Sequence, residues 1–178
     1  TTSEIRRSGF PYSKEMVERE WLITSATVNA IESAQRSGIS FNLAGGTHHA
    51  FADHAEAFCI FNDIAVAANY FIYKNKNSKV LIVDLDVHQG NGTAHIFRNQ
   101  PRVFTFSMHG AKNYPLRKQT SDLDIALPSS TDDREYLKIL KETLSELIDK
   151  TKPGIVFYQA GVDVLVNDKL GSINMSID

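Results

Sequence analysis

The chain has 178 residues, of which 42% are apolar and 22% are charged, and its net charge at pH 7 is −2. This length suits one domain of ordinary size, and the apolar fraction is sufficient for a hydrophobic core. The composition argues against a disordered chain, and the near-neutral charge argues against a basic surface that binds nucleic acid directly.

Cys59 is the only cysteine, so an internal disulfide is excluded. This fits a reducing compartment, and we expect a cytoplasmic protein. No apolar run approaches the roughly 20 residues that a membrane span requires, and no signal peptide is expected at the start. The sequence leaves the oligomeric state open.

The first elements in chain order are an irregular segment, a long helix and a short strand. Residues 1–12 are predicted to be irregular. Ser13 is predicted to cap a helix over about 14–36, which Gly38 closes. Residues 39–44 are an apolar run that predicts a short buried strand.

A loop is predicted to lead from this strand into an apolar segment at 58–73, for which we predict a mostly buried helix. Residues 80–87 predict the second strand, and 93–98 a short helix. Alternating apolar residues at 102–107 predict the third strand.

Leu123–Leu127 predicts a further short strand, and a helix follows at about 133–150 with leucines at helical spacing. Ile155–Gln159 is the last predicted strand. Strands of continuous apolar residues that alternate with helices are typical of a parallel sheet covered by helices.

Polar residues of the kinds that bind metals or catalyse reactions follow the predicted strands. In chain order they are His48 and His49, then Asp84, Asp86 and His88, then Ser107, Met108 and His109, and last Asp163. In open α/β sheets, ligands bind outside the carboxyl ends of the strands. The convergence predicts a functional site at this edge.

Asp86, His88 and Asp163 make a plausible metal-binding set of one nitrogen and two carboxylates. Residues two apart on a strand share a face, so Asp84, Asp86 and His88 are predicted to point one way. Three protein ligands leave a position for water or substrate, as in catalytic zinc sites. The alternative is a buried ion pair between Asp86 and His88.

His48 and His49 are adjacent and follow two glycines that let the backbone approach a ligand. One histidine can act as a base on water and as an acid to a leaving amine, while the other holds or shuttles a proton. Asp84 suits the role of hydrogen-bond acceptor for one ring and Asn91 for the other. The alternative is an ordinary surface loop.

Four motifs together resemble the histone deacetylase superfamily, which includes bacterial acetoin-utilisation and acetylpolyamine deacetylases. They are Gly45-Gly46-Thr47-His48-His49-Ala50, Phe58-Cys59-Ile60-Phe61-Asn62-Asp63, Asp84-Leu85-Asp86-Val87-His88-Gln89-Gly90-Asn91-Gly92 and Ala160-Gly161-Val162-Asp163. The Gln-Gly-Asn-Gly form is similar to the class IV branch and its bacterial relatives.

The resemblance implies a three-layer α/β/α fold with a mainly parallel sheet, of the arginase/deacetylase type. It implies a single deacetylase-type catalytic domain over residues 1–178, which we expect to be truncated at both ends. The implied reaction is zinc-dependent hydrolysis of an N-acyl amide. The implied partner is an acylated lysine peptide or an acetylated small amine.

The resemblance also implies roles for individual residues. Asp86, His88 and Asp163 match the ligands of one catalytic Zn²⁺. His49 matches the general base and later acid, and His48 its partner. Asp84 matches the acid behind His48, and Asn91 the residue that orients His49.

Two further sites are implied by the resemblance. The set that matches a structural K⁺ site is Asp84, Asp86, His88, Ser107 and Met108. It would contribute mainly backbone carbonyls, and oxygen ligands suit such a hard cation. The residues that match substrate-binding positions are Gly46, Phe58 and Tyr114, the last two as aromatics that line an acyl-lysine tunnel.

The chain departs from the family at two points. Many members have Asp where Asn91 stands, and a neutral side chain stabilises a charged His49 less than a carboxylate would. The family also uses a tyrosine on a glycine-rich loop near the C-terminus, and none of the tyrosines here lies in such a loop. Losing one such oxyanion donor costs roughly 10²–10³ in rate.

Two alternative functions therefore stay open. The first is a catalytically impaired module that binds acyl-lysine or metal. The second is an arginase-like hydrolase with two metal ions, although that chemistry requires further Asp and His ligands.

Overall fold

The computed structural model describes residues 2–177, so Thr1, part of the predicted irregular segment, and Asp178 lie outside the described residues. The chain divides into two compact units. The first comprises the described residues up to Asn77 together with Asn91–Ile96. The second comprises Ser78–Gly90 together with the residues from Phe97 onward. That the chain is a single catalytic domain stays a prediction.

The second unit contains a four-stranded, fully parallel sheet. Its strands are β1 (Val80–Asp84), β2 (Val103–Gly110), β3 (Leu123–Leu127) and β4 (Ile155–Gln159), in the spatial order β3-β2-β1-β4. In this register Asp84 lies between Ser107 of β2 and Gln159 of β4. The carboxyl ends of β1 and β4 therefore lie level, beside the second half of β2.

The core of the second unit lies between this sheet and the helix α5 (Asp133–Thr151). Alternate residues of β1, Leu81 and Val83, are buried in one cluster with Tyr136 and Leu147 of α5. A period of two places alternate strand residues on the same face, so this face packs against the helix. The whole of β1 is buried.

The first unit is helical. Its helices are α1 (Thr2–Ser8), α2 (Lys14–Ser37), α3 (Asp63–Lys74) and α4 (Asn91–Phe97), the last residue of α4 belonging to the second unit. As predicted, α2 begins after Ser13, whose hydroxyl accepts a 3.1 Å hydrogen bond from the backbone N–H of Met16. It ends at Gly38, which adopts a left-handed conformation. None of the helices among residues 2–177 is long and apolar enough to cross a membrane.

A buried carboxylate holds the loop of the first unit that leads to His48. Asp63 is 1% exposed and accepts hydrogen bonds from the backbone N–H of Gly46 at 3.2 Å and of Thr47 at 2.9 Å. Its other oxygen accepts from the Thr27 hydroxyl at 2.6 Å. The first residue of α3 thereby joins this loop to α2.

The side-chain amide of Asn62, the residue before Asp63, anchors the backbone at and after the histidine pair. The Asn62 side-chain N–H donates to the backbone carbonyls of His48 at 3.3 Å and Ala50 at 3.1 Å. Its oxygen caps α3 by accepting from Ala65 N–H at 2.9 Å. Asn62 and Asp63 thus fix the backbone on both sides of the histidines.

Two predictions for the N-terminal part are wrong. The segment predicted as irregular at 1–12 contains α1, which ends at Ser8. Gly9 follows it in a left-handed conformation, and its N–H bonds the carbonyl of Ile5 at 3.0 Å. The predicted buried strand at 39–44 is not a strand, and its apolar side chains Ile39, Phe41 and Leu43 are exposed. An apolar run forms a buried strand only where neighbouring strands pair with it.

Other elements exist as predicted but with different bounds. The helix predicted at 58–73 begins at Asp63, where the Asn62 side chain caps it, and residues 57 and 58 have positive φ in the turn before it. The strand predicted at 80–87 ends at Asp84, and the strand predicted at 102–107 continues to Gly110. Strand β3 and strand β4 have the predicted bounds.

Asp63→Asn is expected to lower the free energy of unfolding by about 2–4 kcal/mol, because an amide replaces a carboxylate oxygen that buried donors require. Urea unfolding of the chain followed by circular dichroism measures this change. Asp149→Asn, an exposed acid on α5, is the matched control and should leave stability nearly unchanged. An Asp63→Asn variant as stable as this control would contradict the anchoring role.

Candidate functional site

A metal-binding geometry forms in the second unit from Asp86, His88 and Asp163. One nitrogen or oxygen from each of these side chains lies within 4.8 Å of the others, and all three are partly buried. The Nδ1 atom of His88 is 3.0 Å from Asp86 Oδ1 and 3.0 Å from Asp163 Oδ2. The structure therefore brings together the three residues that the sequence predicted as ligands.

Backbone N–H groups orient both carboxylates of this triad. Asp86 Oδ1 accepts from the His88 N–H at 2.8 Å, and Asp163 Oδ1 accepts from the Val87 N–H at 3.1 Å. Asp84 Oδ1 in turn accepts from the Asp86 N–H at 3.2 Å. The prediction that Asp84, Asp86 and His88 alternate along one strand is wrong, because the strand ends at Asp84 and the ligands converge through a folded loop.

The two carboxylates of the triad favour a positive charge on the His88 imidazole. Burial lowers the pKa of the His88 imidazole, but hydrogen bonds to Asp163 and Asp86 and their charges outweigh this effect and raise it to about 9. The predicted alternative, an ion pair of Asp86 and His88, is present within the triad. Asp163 adds a second carboxylate, which a simple ion pair does not require, and a divalent cation can replace the shared proton.

A glycine makes room for this arrangement. A methyl group added to Gly161 would lie 2.5 Å from the Cα atom of Asp86 and 2.5 Å from its Oδ2. Only glycine lets the backbone that follows β4 approach this closely. Gly161 therefore permits Asp86 and Asp163 to share one site.

The residues predicted for K⁺ lie at the carboxyl edge of β1 and β2. Asp84 and Ser107 are neighbours in register, and Ser107 and Met108 are buried. The Ser107 hydroxyl lies 2.9 Å from Nδ1 of His109, whose pKa burial lowers to about 4, so this imidazole is neutral at pH 7. A K⁺ ion at this edge stays a prediction.

The two histidines of the first unit are buried with their ring centroids 4.2 Å apart. The backbone N–H of Thr93 bonds the His48 carbonyl at 3.1 Å. A methyl group on Gly92 would lie 2.2 Å from the Ala50 carbonyl oxygen. The start of α4 is therefore packed directly against the histidine loop, so both histidines are buried and the loop is not the ordinary surface loop of the predicted alternative.

Asn91 is placed where it can orient His49. Its Oδ1 atom is 2.7 Å from His49 Nδ1, and its Nδ2 donates to Glu56 Oε1 at 2.7 Å. Asp84, the predicted acceptor behind His48, belongs to the second unit and His48 to the first, so that pairing stays a prediction.

The predicted substrate-binding residues are distributed over both units. Gly46, at φ 101°, requires the freedom of glycine. Phe58 is 64% exposed and packs edge-to-face on Phe10 at 5.4 Å between ring centroids. Tyr114 lies in the second unit, where its carbonyl accepts from the Gln89 N–H at 3.2 Å. The tunnel lined by Phe58 and Tyr114 stays a prediction.

Sequence reasoning missed Glu56 and treated Asn62 and Asp63 only as part of a motif. Asn62 carried a usable signal, since Asn before an apolar helix is a frequent cap. Glu56 carried none, because it bonds a residue 35 positions away. Cys59 is buried, and burial raises the pKa of its thiol to about 12, which excludes a nucleophilic thiolate at pH 7.

Comparison with known proteins places these geometries in context. A family model described as histone deacetylase domain matches residues 2–178. Solved structures of an HDAC homologue from Aquifex aeolicus and of an HDAC homologue complexed with SAHA are both 30% identical, with TM-scores of 0.82 and 0.83. They cover 92% and 93% of this chain, which covers 47% and 48% of theirs. This likeness and the parallel sheet confirm the predicted α/β fold class of the arginase/deacetylase type.

Three curated proteins are similar in sequence to this chain. An uncharacterised protein of Picosynechococcus is 47% identical over 96% of this chain and 57% of its own length. Histone deacetylase 2 of Arabidopsis thaliana is 31% identical over 95% of this chain and 42% of its own length. The acetoin utilization protein AcuC of Staphylococcus aureus is 34% identical over 76% of this chain and 38% of its own length. The chain thus spans about half the length of the curated relatives it matches.

We expect the chain to bind about one Zn²⁺, with Asp163→Asn abolishing binding because it replaces a ligand oxygen with an amide N–H₂. Gly161→Ala should weaken binding at least about 10-fold by displacing Asp86, although every ligand atom remains. Calorimetric titration measures affinity and stoichiometry, and melting without metal checks folding. Undiminished binding by a folded Asp163→Asn variant would refute the site.

Proposed function

This chain belongs to the histone deacetylase family, and on that premise we propose that the complete gene product hydrolyses N-acyl amides. The proposed substrate is an acyl-lysine side chain or an acetylated small amine. The observation that carries the proposal is the Asp86, His88 and Asp163 triad, in which two oriented carboxylates converge on one imidazole nitrogen.

We propose Zn²⁺ as the metal of this triad. One nitrogen and two oxygen ligands are a donor set that zinc accepts, with room for a further ligand. When bound, the metal would polarise the acyl carbonyl and lower the pKa of a water molecule. The protein's own contribution is the set of backbone N–H bonds that fixes both carboxylates before the metal arrives.

His49 is the proposed general base and acid. With its Nδ1–H bound to Asn91, the lone pair of the neutral imidazole resides on Nε2. Nε2 takes a proton from water as the new carbon–oxygen bond forms, and later gives it to the amine nitrogen as the carbon–nitrogen bond breaks. The products are a carboxylate and a free amine.

The remaining residues have supporting roles in this proposal. His48 holds or shuttles a proton beside His49, with Asp84 as its acceptor. Asp84, Asp86, His88, Ser107 and Met108 would hold a K⁺ ion, which when bound would stabilise the carboxyl edge of the sheet. Gly46, Phe58 and Tyr114 contact the acyl-bearing stem of the substrate.

The alternatives are distinguishable. An arginase-like site with two metals requires more ligands, but among residues 2–177 the triad is the one group of three acids, histidines or cysteines with metal-binding spacing. A non-catalytic module would bind zinc and acylated ligand without turnover. Amine release by the complete gene product distinguishes this second alternative from the enzyme.

His49→Ala in the complete gene product is expected to lower kcat for acetyl-lysine peptides or acetylpolyamines about 10²–10⁴-fold, because it removes the general base. Its zinc content should be unchanged, whereas Asp163→Asn should lose both zinc and activity. These expectations are tested by measuring amine release with and without SAHA, the molecule bound in the solved HDAC homologue. Wild-type protein that binds one zinc but releases no amine would favour the binding module.

A further inference from the structure

We propose that Glu56 is a positioning residue that selects the tautomer of His49 through the side chain of Asn91. The proposal rests on the proposed role of His49 as the base. It extends that role to an acid in a different loop, for which neither the sequence motifs nor the comparisons suggest a function.

The three side chains form a continuous hydrogen-bonded chain in the first unit. His49 Nδ1 to Asn91 Oδ1 and Asn91 Nδ2 to Glu56 Oε1 are both 2.7 Å. His49 and Asn91 are 6% and 3% exposed, and the Glu56 side chain is 20% exposed. Water therefore competes little for the two inner groups, and their mutual hydrogen bonds decide the orientation of the amide.

The direction of these hydrogen bonds follows from the chemistry of the Glu56 carboxylate at one end of them. An ionised carboxylate only accepts hydrogen bonds, so Asn91 must turn its N–H₂ towards Glu56 and its oxygen towards His49. The imidazole must then donate from Nδ1, which leaves the lone pair on Nε2. Without Glu56 the amide can rotate by half a turn and offer N–H₂ to Nδ1, which stabilises the opposite tautomer.

This requirement is specific to an amide at position 91. A carboxylate there would accept from Nδ1 in either orientation and would need no further group. Asn91 is ambiguous on its own, and Glu56 removes the ambiguity. The departure of Asn91 from the family pattern and the presence of Glu56 thus become one feature.

The backbone holds Glu56 in place. Glu56 and Cys59 exchange two backbone hydrogen bonds, 3.0 and 2.9 Å long, across a turn in which Ala57 and Phe58 have φ of 44° and 63°. Ala57 and Phe58 thus lie in the left-handed region of backbone conformation, which has a conformational cost for residues other than glycine. The turn is also tied to α1, since Phe58 N–H bonds the Ser8 carbonyl at 2.7 Å.

A second contact occupies the other carboxylate oxygen. Glu56 Oε2 lies 3.5 Å from His54 Nε2, and the His54 ring stacks on Phe51 at 4.4 Å. His54 also bonds Asp53 through Nδ1 at 2.7 Å. Each oxygen of Glu56 thus has its own partner, and Oε1 is directed to Asn91.

The test exchanges the acid and the amide. Glu56→Gln removes the group that orients Asn91, and Asn91→Asp alone places two carboxylates in contact. The double variant restores a single carboxylate and a single amide with the same number of hydrogen bonds. Asp53→Asn is the matched control, because it removes an acid that bonds His54 but not Asn91.

The readout is the ¹⁵N chemical shifts of the His49 ring in histidine-labelled protein, which report the tautomer without requiring turnover. We expect Nδ1–H in the wild type, a tautomer mixture in Glu56→Gln, and Nδ1–H restored in the double variant. In the active complete protein, kcat should fall about 10–100-fold in Glu56→Gln with KM little changed. In the double variant, kcat should return to within about 3-fold of the wild-type value. This difference is smaller than the tenfold that one pKa unit of interaction would produce.

The proposal would be overturned by an unchanged tautomer and kcat in a folded Glu56→Gln variant, or by a double variant no better than Glu56→Gln. A tautomer shift in Asp53→Asn as large as in Glu56→Gln would also overturn it. If the wild type and both variants show the expected tautomers but the wild type releases no amine, the proposed function fails and the positioning role of Glu56 stands.

Discussion

A carboxylate with little access to water must find hydrogen-bond donors or a cation, and this requirement organises both units of the chain. Asp63 satisfies it with hydroxyl and backbone donors from α2 and the histidine loop, and so holds the fold. Asp86 and Asp163 direct one oxygen each to the same nitrogen of His88. Two negative groups that share a single proton form a site where a divalent cation is the stronger partner.

The contrast separates the acid that holds the fold from the acids proposed as metal ligands. Asp63 is almost completely buried, and the donors around it come from α2 and the histidine loop, so a substitution there acts on stability. The triad acids remain partly accessible, and the backbone donors orient them without covering them. Partial burial with fixed orientation is the condition that a metal site requires, because the ion must enter and then find its ligands in place.

Much of this could be predicted from the sequence, for reasons that are local. Ser13 and Gly38 bound α2 through cap geometry, and Leu123–Leu127 and Ile155–Gln159 are apolar runs between breakers. The grouping of Asp86, His88 and Asp163 beyond the strand ends follows from the parallel topology. The failures are non-local: residues 39–44 have strand composition but no pairing, and Glu56 acts through a residue 35 positions away, which no periodicity reveals.

A side-chain amide and a carboxylate differ in what they can offer to His49 Nδ1. A carboxylate can only accept a hydrogen bond, whereas an amide accepts through its oxygen and donates through its nitrogen, so its orientation decides which it does. In this chain Asn91 Oδ1 lies 2.7 Å from His49 Nδ1, and Asn91 Nδ2 donates to Glu56 Oε1 at 2.7 Å. The acid at position 56 thus gives the amide the direction that a carboxylate at position 91 would have by itself.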